Sequence, residues 1–374
     1  MTDRELAGQL VLEDRVAYGR LAIEDGRIAS VDLDEGSGPP DAPIIAPGFV
    51  DLHVHGYGGH DAMGGRAALD GMARALLRRG VTSFLPTAVS APIERLADFA
   101  ATVHDWLADR PADGAVPLGF NLEGPFLAPP RAGAHDPTVL RTPADVPAAG
   151  LEPLREGLRL ITIAPELPGA LELIEALAGS GVAVSLGHSA ASVEVARLGY
   201  ASGARSTTHL FNAMSGLDHR SPGLALAALL DDEAFVELIA DGYHVSPELW
   251  PLVARLKPAG RLLLVSDAVA IAGTRASRGW IGSLACEVVD GRAVLAGTET
   301  LAGSVIALDD AVRNLVRAGI ALPAAVAAAS TNPCDLLGET DRGRIAIGQQ
   351  ADLVELDAEL RVRGVIRGGA RLDA

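Results

Sequence analysis

The sequence predicts an α/β fold: a (β/α)8 barrel joined to a small β-sandwich domain that both chain termini form. Eight short apolar segments of strand-forming residues alternate with helical stretches, which is typical of a parallel sheet. The eight units span about 250 residues, the usual size of such a barrel. Segments near both ends of the chain are strand-like without a helical period, and they predict the second, smaller domain.

The predicted barrel strands recur along the middle of the chain. They are residues 49–55, 81–86, 117–123, 158–164, 182–187, 205–209, 235–240 and 262–267. The predicted helices between them include residues 69–79, 93–108, 170–178 and 189–202. Another helix is predicted to begin at Ser246-Pro247-Glu248, with Ser246 as its N-cap. A doubly wound open sheet is the alternative, but no glycine-rich dinucleotide-binding fingerprint follows any strand.

The predicted domain boundaries follow the change from strand-only to alternating segments. Residues 1–47 and 343–374 form the β-sandwich domain in this prediction, and residues 48–342 form the barrel. The first part holds strand-like residues 8–12, 15–23 and 27–33, and the chain returns to strand-like residues after 343. The barrel is therefore expected as a large insertion between the two halves of one β domain.

Composition excludes several classes of protein. The formal net charge of -17 at pH 7 argues against nucleic acid as a partner. Apolar residues make up 49% of the chain, yet none of their runs approaches the roughly 18 residues of a membrane span. The polar N-terminal residues lack the pattern of a signal peptide. The two cysteines, Cys286 and Cys334, are too few for a disulfide framework, so a cytoplasmic location is expected.

His53 and His55 end the first predicted barrel strand. Side chains two positions apart in a strand point to the same face, so the two imidazoles leave the strand side by side. Neutral imidazole nitrogens suit zinc and iron, and this pair could form half of a divalent-metal site. Taken alone, the pair fits a polar strand end with two hydrogen-bonded histidines equally well.

Four more strand ends carry residues of types that can coordinate a metal or transfer a proton. They are Glu123, His188, His209 and Asp267. In a (β/α)8 barrel the carboxyl ends of the strands meet in one ring, where active sites lie. Clustered acids and imidazoles are costly to bury unless a cation lies among them. The sequence therefore favours a metal centre at this end of the barrel.

Several stretches occur in an order that resembles a known family. Residues 47–56 are similar to the first strand of the amidohydrolase superfamily. The stretches that narrow the resemblance to the N-acetylglucosamine-6-phosphate deacetylase family are Asn121-Leu122-Glu123-Gly124-Pro125-Phe126, Gly187-His188-Ser189, Thr208-His209-Leu210-Phe211-Asn212-Ala213-Met214 and Ala240-Asp241-Gly242-Tyr243-His244-Val245. Residues 265–268, 301–304 and 330–333 also fit, so the resemblance covers essentially the whole chain.

The resemblance implies a role for each strand-end residue. Glu123, His188 and His209 would hold the main metal, and His53 with His55 would hold a second one that Glu123 bridges. The metal would be zinc or iron, with manganese or cobalt as further possibilities, and one or two ions per subunit would bind. Asp267 would transfer the proton as catalytic acid/base, and His135 would help to polarise the acetyl carbonyl.

The resemblance also implies the residues that bind the substrate. Asn212 and the backbone around Ala213 would hold sugar and phosphate oxygens. Arg220 and His244 would contact the 6-phosphate, with Arg220 contributed by the neighbouring subunit of a homodimer. The residues that would border the sugar are Leu301, Ala302 and Gly303. Lys257, the sole lysine, is predicted on a helix, so no carboxylated lysine is expected between the metals.

The activity that the resemblance implies is hydrolysis of a linear amide. A metal-activated water would convert N-acetyl-D-glucosamine 6-phosphate into D-glucosamine 6-phosphate and acetate, as part of amino-sugar recycling. A deacetylase of N-acetylgalactosamine 6-phosphate is the nearest alternative, and another amidohydrolase such as a D-aminoacylase is the next. A metal-binding sugar-phosphate sensor without catalysis is the alternative from a different class.

Overall fold

The computed structural model of the chain describes residues 4–36 and 38–372 and contains the predicted barrel. Its eight barrel strands, numbered 1 to 8 in chain order, are Phe49–Val54, Val81–Val89, Phe120–Glu123, Leu158–Ile163, Ala183–Leu186, Ser206–Thr207, Phe235–Leu238 and Leu262–Leu264. Each pairs in parallel with the next. Strands 8 and 1 approach through backbone hydrogen bonds, from Asp267 N to His53 O at 2.9 Å and from His55 N to Ala268 O at 2.9 Å. The predicted barrel fold is confirmed.

Helices surround the barrel and cover its strands. They are Arg66–Leu77, Ile93–Ala108, Ala148–Leu151, Ala170–Gly179, Val193–Ala201, Leu224–Leu230, Trp250–Leu256, Leu308–Arg317, Leu322–Ala328 and Thr331–Leu337. Strands 1 and 2 are buried along their whole length, because helices or barrel interior cover both faces. Across the described residues, no helix combines the length and the apolar composition that a membrane crossing requires.

The helix predicted to begin at Ser246 differs from the expectation. Pro247–Leu249 forms a single 3₁₀ turn, and the α-helix begins only at Trp250. The Ser246 side chain makes no capping hydrogen bond to the backbone, because its hydroxyl donates to the Glu248 carboxylate instead. Ser246 does occupy the N-cap position of this 3₁₀ turn, with Pro247 in the first turn and Glu248 as its acidic residue, as predicted, but its side chain does not cap the backbone.

Strands from both termini pair in one seven-stranded sheet. Its order is Ala370–Leu372, Val362–Arg367, Leu353–Leu356, Ile44–Pro47, Arg4–Val11, Val16–Glu24 and Arg27–Leu33. Leu10, Leu21, Ile45, Leu353 and Ile366 belong to an apolar cluster of their own on this sheet. Residues 1–3, 37, 373 and 374 of the predicted terminal domain lie outside the described residues. The division into two domains at residues 47 and 343 stays a prediction.

A three-stranded antiparallel sheet that the sequence analysis does not predict lies beside the barrel. It consists of Arg278–Ile281, Leu284–Val289 and Arg292–Leu295. The buried Cys286 and Ala293 of this sheet pack against Val269 and Ala302, which flank the strand-8 end of the barrel. The sheet thus forms one wall next to the ring of strand ends.

Candidate active site

Glu123, His188 and His209 meet at the carboxyl end of the barrel. The Nε2 atoms of His188 and His209 lie 3.0 and 2.8 Å from Oε1 of Glu123. The two Nε2 atoms are 3.1 Å apart. Since Glu123 ends strand 3 and the two histidines follow closely after strands 5 and 6, the barrel brings together side chains that are far apart in the sequence. Two imidazoles and one carboxylate form a donor set that suits a catalytic divalent metal.

The second carboxylate oxygen of Glu123 faces the other histidine pair. Its Oε2 lies 3.1 Å from His55 Nε2 and 3.5 Å from His53 Nε2. Those two Nε2 atoms are 3.2 Å apart. Asp267 Oδ1 completes the group at 3.2 Å from His55 Nε2. Glu123 therefore stands between two sets of donors, as a bridging carboxylate would.

The hydrogen bonds of the outer ring nitrogens leave the Nε2 atoms free to bind a cation. Nδ1 of His188 donates to the Arg131 carbonyl at 2.7 Å, and Nδ1 of His55 donates to the Thr87 carbonyl at 3.1 Å. A neutral imidazole that donates from Nδ1 has its lone pair on Nε2. The donor types, their spacing and these tautomers fit a divalent metal, and His53, His55 and Glu123 form one candidate group.

The electrostatics of the cluster favour added positive charge. Burial lowers the pKa of His55, but hydrogen bonds to Asp267 and Glu123 outweigh it and raise that pKa to about 9. Burial also works against the charged form of His53, yet the negative charge of Glu123 raises its pKa well above the usual value. Two buried carboxylates therefore draw protons or metal cations to this point.

The backbone is strained where the site residues lie. Among the described non-glycine residues, eight have a positive φ, and five of them are at the site: His188, His209, Phe211, Ala213 and Asp267, with φ between 31 and 78°. Left-handed conformations are costly for residues with a Cβ and concentrate at functional sites. These residues follow strands 5, 6 and 8, so the unusual backbone lies at the carboxyl end of the barrel.

His135 joins the cluster from a loop. Its Nε2 lies 3.0 Å from Glu123 Oε2, and its ring stacks edge-on to that of His188 at 4.7 Å between centroids. Burial lowers the pKa of His135 to about 4, although the charge of Glu123 works in the opposite direction. His135 is therefore neutral near pH 7. Glu123, His135 and His188 also satisfy the geometry of a metal-binding group. The tautomer of His135 therefore decides whether its Nε2 binds a cation or donates a hydrogen bond.

A cavity of about 310 Å³ opens over the cluster. The predicted residues that line it are His55, Glu123, His135, His188, His209, Asn212, Ala213, His244, Asp267, Leu301 and Gly303. His53 and Ala302 are fully buried behind this wall. Arg220 is exposed on a loop and does not reach the cavity of its own chain. Its backbone N–H and that of Ser221 donate to Asp218 Oδ1, at 2.8 and 2.7 Å.

Gly303 and the Asp241–His244 pair shape two sides of the cavity. A Cβ at position 303 would lie 2.6 Å from the Asp267 carbonyl, and φ there is +61°, so glycine alone lets the loop approach Asp267 so closely.

Asp241 Oδ2 accepts a 2.7 Å hydrogen bond from His244 Nδ1. Asp241 thus orients His244 and does not itself line the cavity.

Several site residues are absent from the sequence analysis, and Arg131 and Glu237 are two that contact the candidate metal ligands. Arg131 lines the cavity and binds His188 through its carbonyl. Glu237 is fully buried in strand 7, and its Oε2 lies 3.2 Å from His53 Nδ1. An acid within the apolar run of strand 7 is the signal that could have found Glu237. Lys257 lies away from the cluster of candidate metal ligands, and its ammonium group donates to the carbonyls of Ala228 and Asp231.

The whole barrel matches a known family. Residues 44–371 match the model of the amidohydrolase family. The chain is 38% identical over 395 residues to the N-acetylglucosamine-6-phosphate deacetylase of Bos taurus, which covers 97% of this chain and 92% of that protein. It is 36% identical over 362 residues to the N-acetylgalactosamine-6-phosphate deacetylase of Escherichia coli O157:H7, with 92% of each chain covered.

Solved structures agree with the sequence matches. The N-acetylglucosamine-6-phosphate deacetylase of Thermotoga maritima superposes with a TM-score of 0.92 at 34% identity, with 100% of both chains covered. A mutant of the Mycobacterium smegmatis enzyme, in complex with N-acetyl-D-glucosamine-6-phosphate, gives a TM-score of 0.93 at 31% identity over 100% of both chains.

Proposed function

Because this chain belongs to the amidohydrolase family, we propose that it hydrolyses N-acetyl-D-glucosamine 6-phosphate to D-glucosamine 6-phosphate and acetate. The observation that carries the proposal is the position of Glu123, with one histidine pair on each carboxylate oxygen and Asp267 beside it. A sensor would need the cavity but not a buried acid next to the metal donors. The cavity also opens directly onto this cluster, where an acetamido group would reach the donors.

Each polar side chain of the cluster has a proposed task. The chemistry that a bound divalent cation supplies is a lower pKa of water and a polarised carbonyl. Asp267 takes a proton from the attacking water and returns it to the departing amine. His135 donates from Nε2 to the acetyl oxygen, where negative charge develops. Glu123, His188 and His209 hold the main cation, and His53 with His55 holds a second.

The proposed phosphate site draws on two subunits. His244 lines the far side of the cavity with its charge supported by Asp241. Arg220 is exposed on its own chain, and we propose that it reaches the cavity of the partner in a homodimer. Asn212 and Ala213 also line the cavity, where we propose that they hold sugar and phosphate oxygens. Local cations of this kind are needed because the chain as a whole carries a net charge of -17.

Further proposals concern the ion, the location and the domains. The imidazole-rich donor set favours zinc or iron over magnesium, and manganese or cobalt remain alternatives. The enzyme would act in the cytoplasm, in keeping with two buried free cysteines. The terminal sheet and the barrel would form two domains with boundaries near residues 47 and 343.

The galactosamine isomer is a second candidate substrate. The N-acetylgalactosamine-6-phosphate deacetylase of Escherichia coli O157:H7 is nearly as similar, at 36% against 38% identity for the bovine protein. The two sugars differ at one carbon. We propose a parallel assay of acetate release from both phosphorylated sugars, with zinc, iron, manganese or cobalt, and with metal content measured on the same sample. No turnover of either sugar with any metal would refute the proposal.

A further inference from the structure

Glu237 occupies an unusual position beneath the metal donors. It lies in barrel strand 7, is 0% exposed, and is paired with no arginine or lysine within residues 4–36 and 38–372. Its Oε2 accepts hydrogen bonds from His53 Nδ1 and from the His209 backbone N–H, both at 3.2 Å. Its Oε1 is buried with no hydrogen-bond partner in the described part of the chain. Burying a carboxylate without a charged partner is costly, so the hydrogen bond from His53 is needed to offset part of that cost.

His53 differs from the other candidate ligands in the charge of its outer partner. His55 and His188 donate from Nδ1 to neutral backbone carbonyls. Nδ1 of His209 has no partner among the described residues. Among the four candidate histidine ligands, His53, His55, His188 and His209, only His53 donates from Nδ1 to a carboxylate in the described part of the chain. A carboxylate behind a histidine fixes the ring and its tautomer and makes the facing nitrogen a stronger ligand.

We propose that Glu237 is the positioning residue that enables the His53/His55 half of the cluster to hold a second cation. It holds His53 Nε2 toward His55, at 3.2 Å, and toward Glu123, at 3.5 Å. The proposal rests on the proposed metal-dependent function only in requiring that the cluster binds cations. Glu237 touches no substrate, so it acts through His53.

The effect of Glu237 is expected at one half of the site and not at the other. The contact with His209 is to its backbone N–H, which the amide oxygen of a glutamine accepts equally well. The contact with His53 depends on the negative charge, which strengthens the ligand. Glu237→Gln should therefore leave the Glu123–His188–His209 donors intact and weaken the binding of the second cation by His53 and His55.

The test is a titration of the metal-free 374-residue chain with Zn²⁺, monitored by calorimetry and by elemental analysis. The wild type should bind two ions per chain. Glu237→Gln should bind the first ion as the wild type does and the second about 10- to 100-fold more weakly. Glu237→Asp, which keeps the charge, should recover part of that loss. Glu237→Gln combined with His53→Ala should match His53→Ala alone.

A matched control is Asp51→Asn. Asp51 is also a fully buried barrel carboxylate with an unpartnered oxygen in the described part of the chain, but its Oδ1 accepts from the backbone N–H groups of His53 and Ser266, at 3.3 Å, and not from a ligand imidazole. The affinity of the Asp51→Asn variant for the second ion should stay at the wild-type value. Mn²⁺-loaded samples give an independent readout by electron paramagnetic resonance. The wild type should show the spectrum of two exchange-coupled Mn²⁺ ions, and Glu237→Gln should show that of a single ion.

Two results would overturn the proposal. Equal second-ion affinity in Glu237→Gln and the wild type would reduce Glu237 to a structural residue. A single ion in the wild type that His53→Ala leaves unchanged would remove the second site altogether. Neither result touches the proposed deacetylase activity, which fails only if the metal-loaded wild type releases no acetate.

Discussion

The backbone N–H of Ser90 donates a hydrogen bond of 3.2 Å to Nδ1 of His135. A ring nitrogen that accepts a hydrogen bond carries no proton, so the neutral His135 ring holds its proton on Nε2, which faces Glu123. His188 has the opposite arrangement, because its Nδ1 donates to a backbone carbonyl. The two rings thus differ in tautomer. His188 is suited to bind a cation and His135 to donate to a carbonyl oxygen.

Replacement of His135 by alanine should lower kcat without removing a metal ion. The lost donor would stabilise charge on the acetyl oxygen in the transition state, and loss of such a donor costs about 100- to 1000-fold in kcat. Steady-state kinetics and elemental analysis of the same sample check both parts. His188→Ala is the comparison, since it should lose the main ion. Loss of an ion from His135→Ala would instead make His135 a ligand.

Replacement of Asp267 by asparagine should lower kcat by about 100- to 10000-fold, the range for loss of a general acid–base. Asp267 is almost fully buried, and its Oδ1 lies 3.2 Å from His55 Nε2. Burial raises its pKa, but the hydrogen bond with His55 and the charge of His53 lower it below the usual value. Asparagine keeps the shape and loses the proton transfer. The affinity for the product D-glucosamine 6-phosphate, measured by calorimetry, should change little. A loss of affinity as large as the loss of kcat would indicate that Asp267 binds the sugar.

The strand-end donors could be predicted because their signals are local. A strand shows as a short apolar run, and the side chain after it falls at the barrel mouth whatever the loops do. Glu123, His188, His209 and Asp267 all follow this rule. The predicted helix over residues 93–108 coincides with the observed one.

The residues that orient the ligands could not be predicted in the same way. Ser90 acts through its backbone N–H, which no sequence pattern marks, and Arg131 acts through its carbonyl. Glu237 meets His53 across 184 positions of sequence, so only the closed barrel shows the contact. The strands of residues 278–295 are short and half-exposed, and their alternation is too weak to stand out.

Arg220→Ala should raise KM for the phosphorylated sugar by about 10- to 100-fold, the loss expected for charge-assisted hydrogen bonds to phosphate. KM for the unphosphorylated sugar should stay nearly constant. Arg197→Ala, which removes another exposed arginine, is the matched control. Equal effects on both sugars would contradict a phosphate contact.

Mixed dimers should show which subunit supplies Arg220. A subunit with Arg220→Ala keeps Asp267, and a subunit with Asp267→Asn keeps Arg220. If Arg220 crosses the dimer interface, mixing the two impaired variants restores one complete site in each mixed dimer. Activity with the low KM of the wild type should therefore appear on mixing, after unfolding and joint refolding or after co-expression. If Arg220 serves its own chain, every site in the mixture lacks one residue and no activity with a low KM returns.

The Asp241–His244 pair should give the phosphate affinity a characteristic dependence on pH. Burial lowers the pKa of His244, but the hydrogen bond to Asp241 and the charges of Asp241 and Asp267 outweigh it and raise that pKa above its usual value. His244 therefore stays positively charged to a higher pH than an ordinary histidine, and KM for the phosphorylated sugar should rise only as pH passes this raised value. Asp241→Asn removes the main support of the charge, so the rise in KM should begin at a lower pH.

The control for this variant is Glu248→Gln, which alters an exposed acid on the same segment. Its pH profile of KM should match the wild type, and so should the profile of every variant with the unphosphorylated sugar. Both substitutions remove one negative charge, so a change in net charge alone would move both profiles equally. An unchanged profile in Asp241→Asn would mean that His244 binds phosphate as a neutral donor. The Asp241 carboxylate would then serve only to hold the imidazole in place.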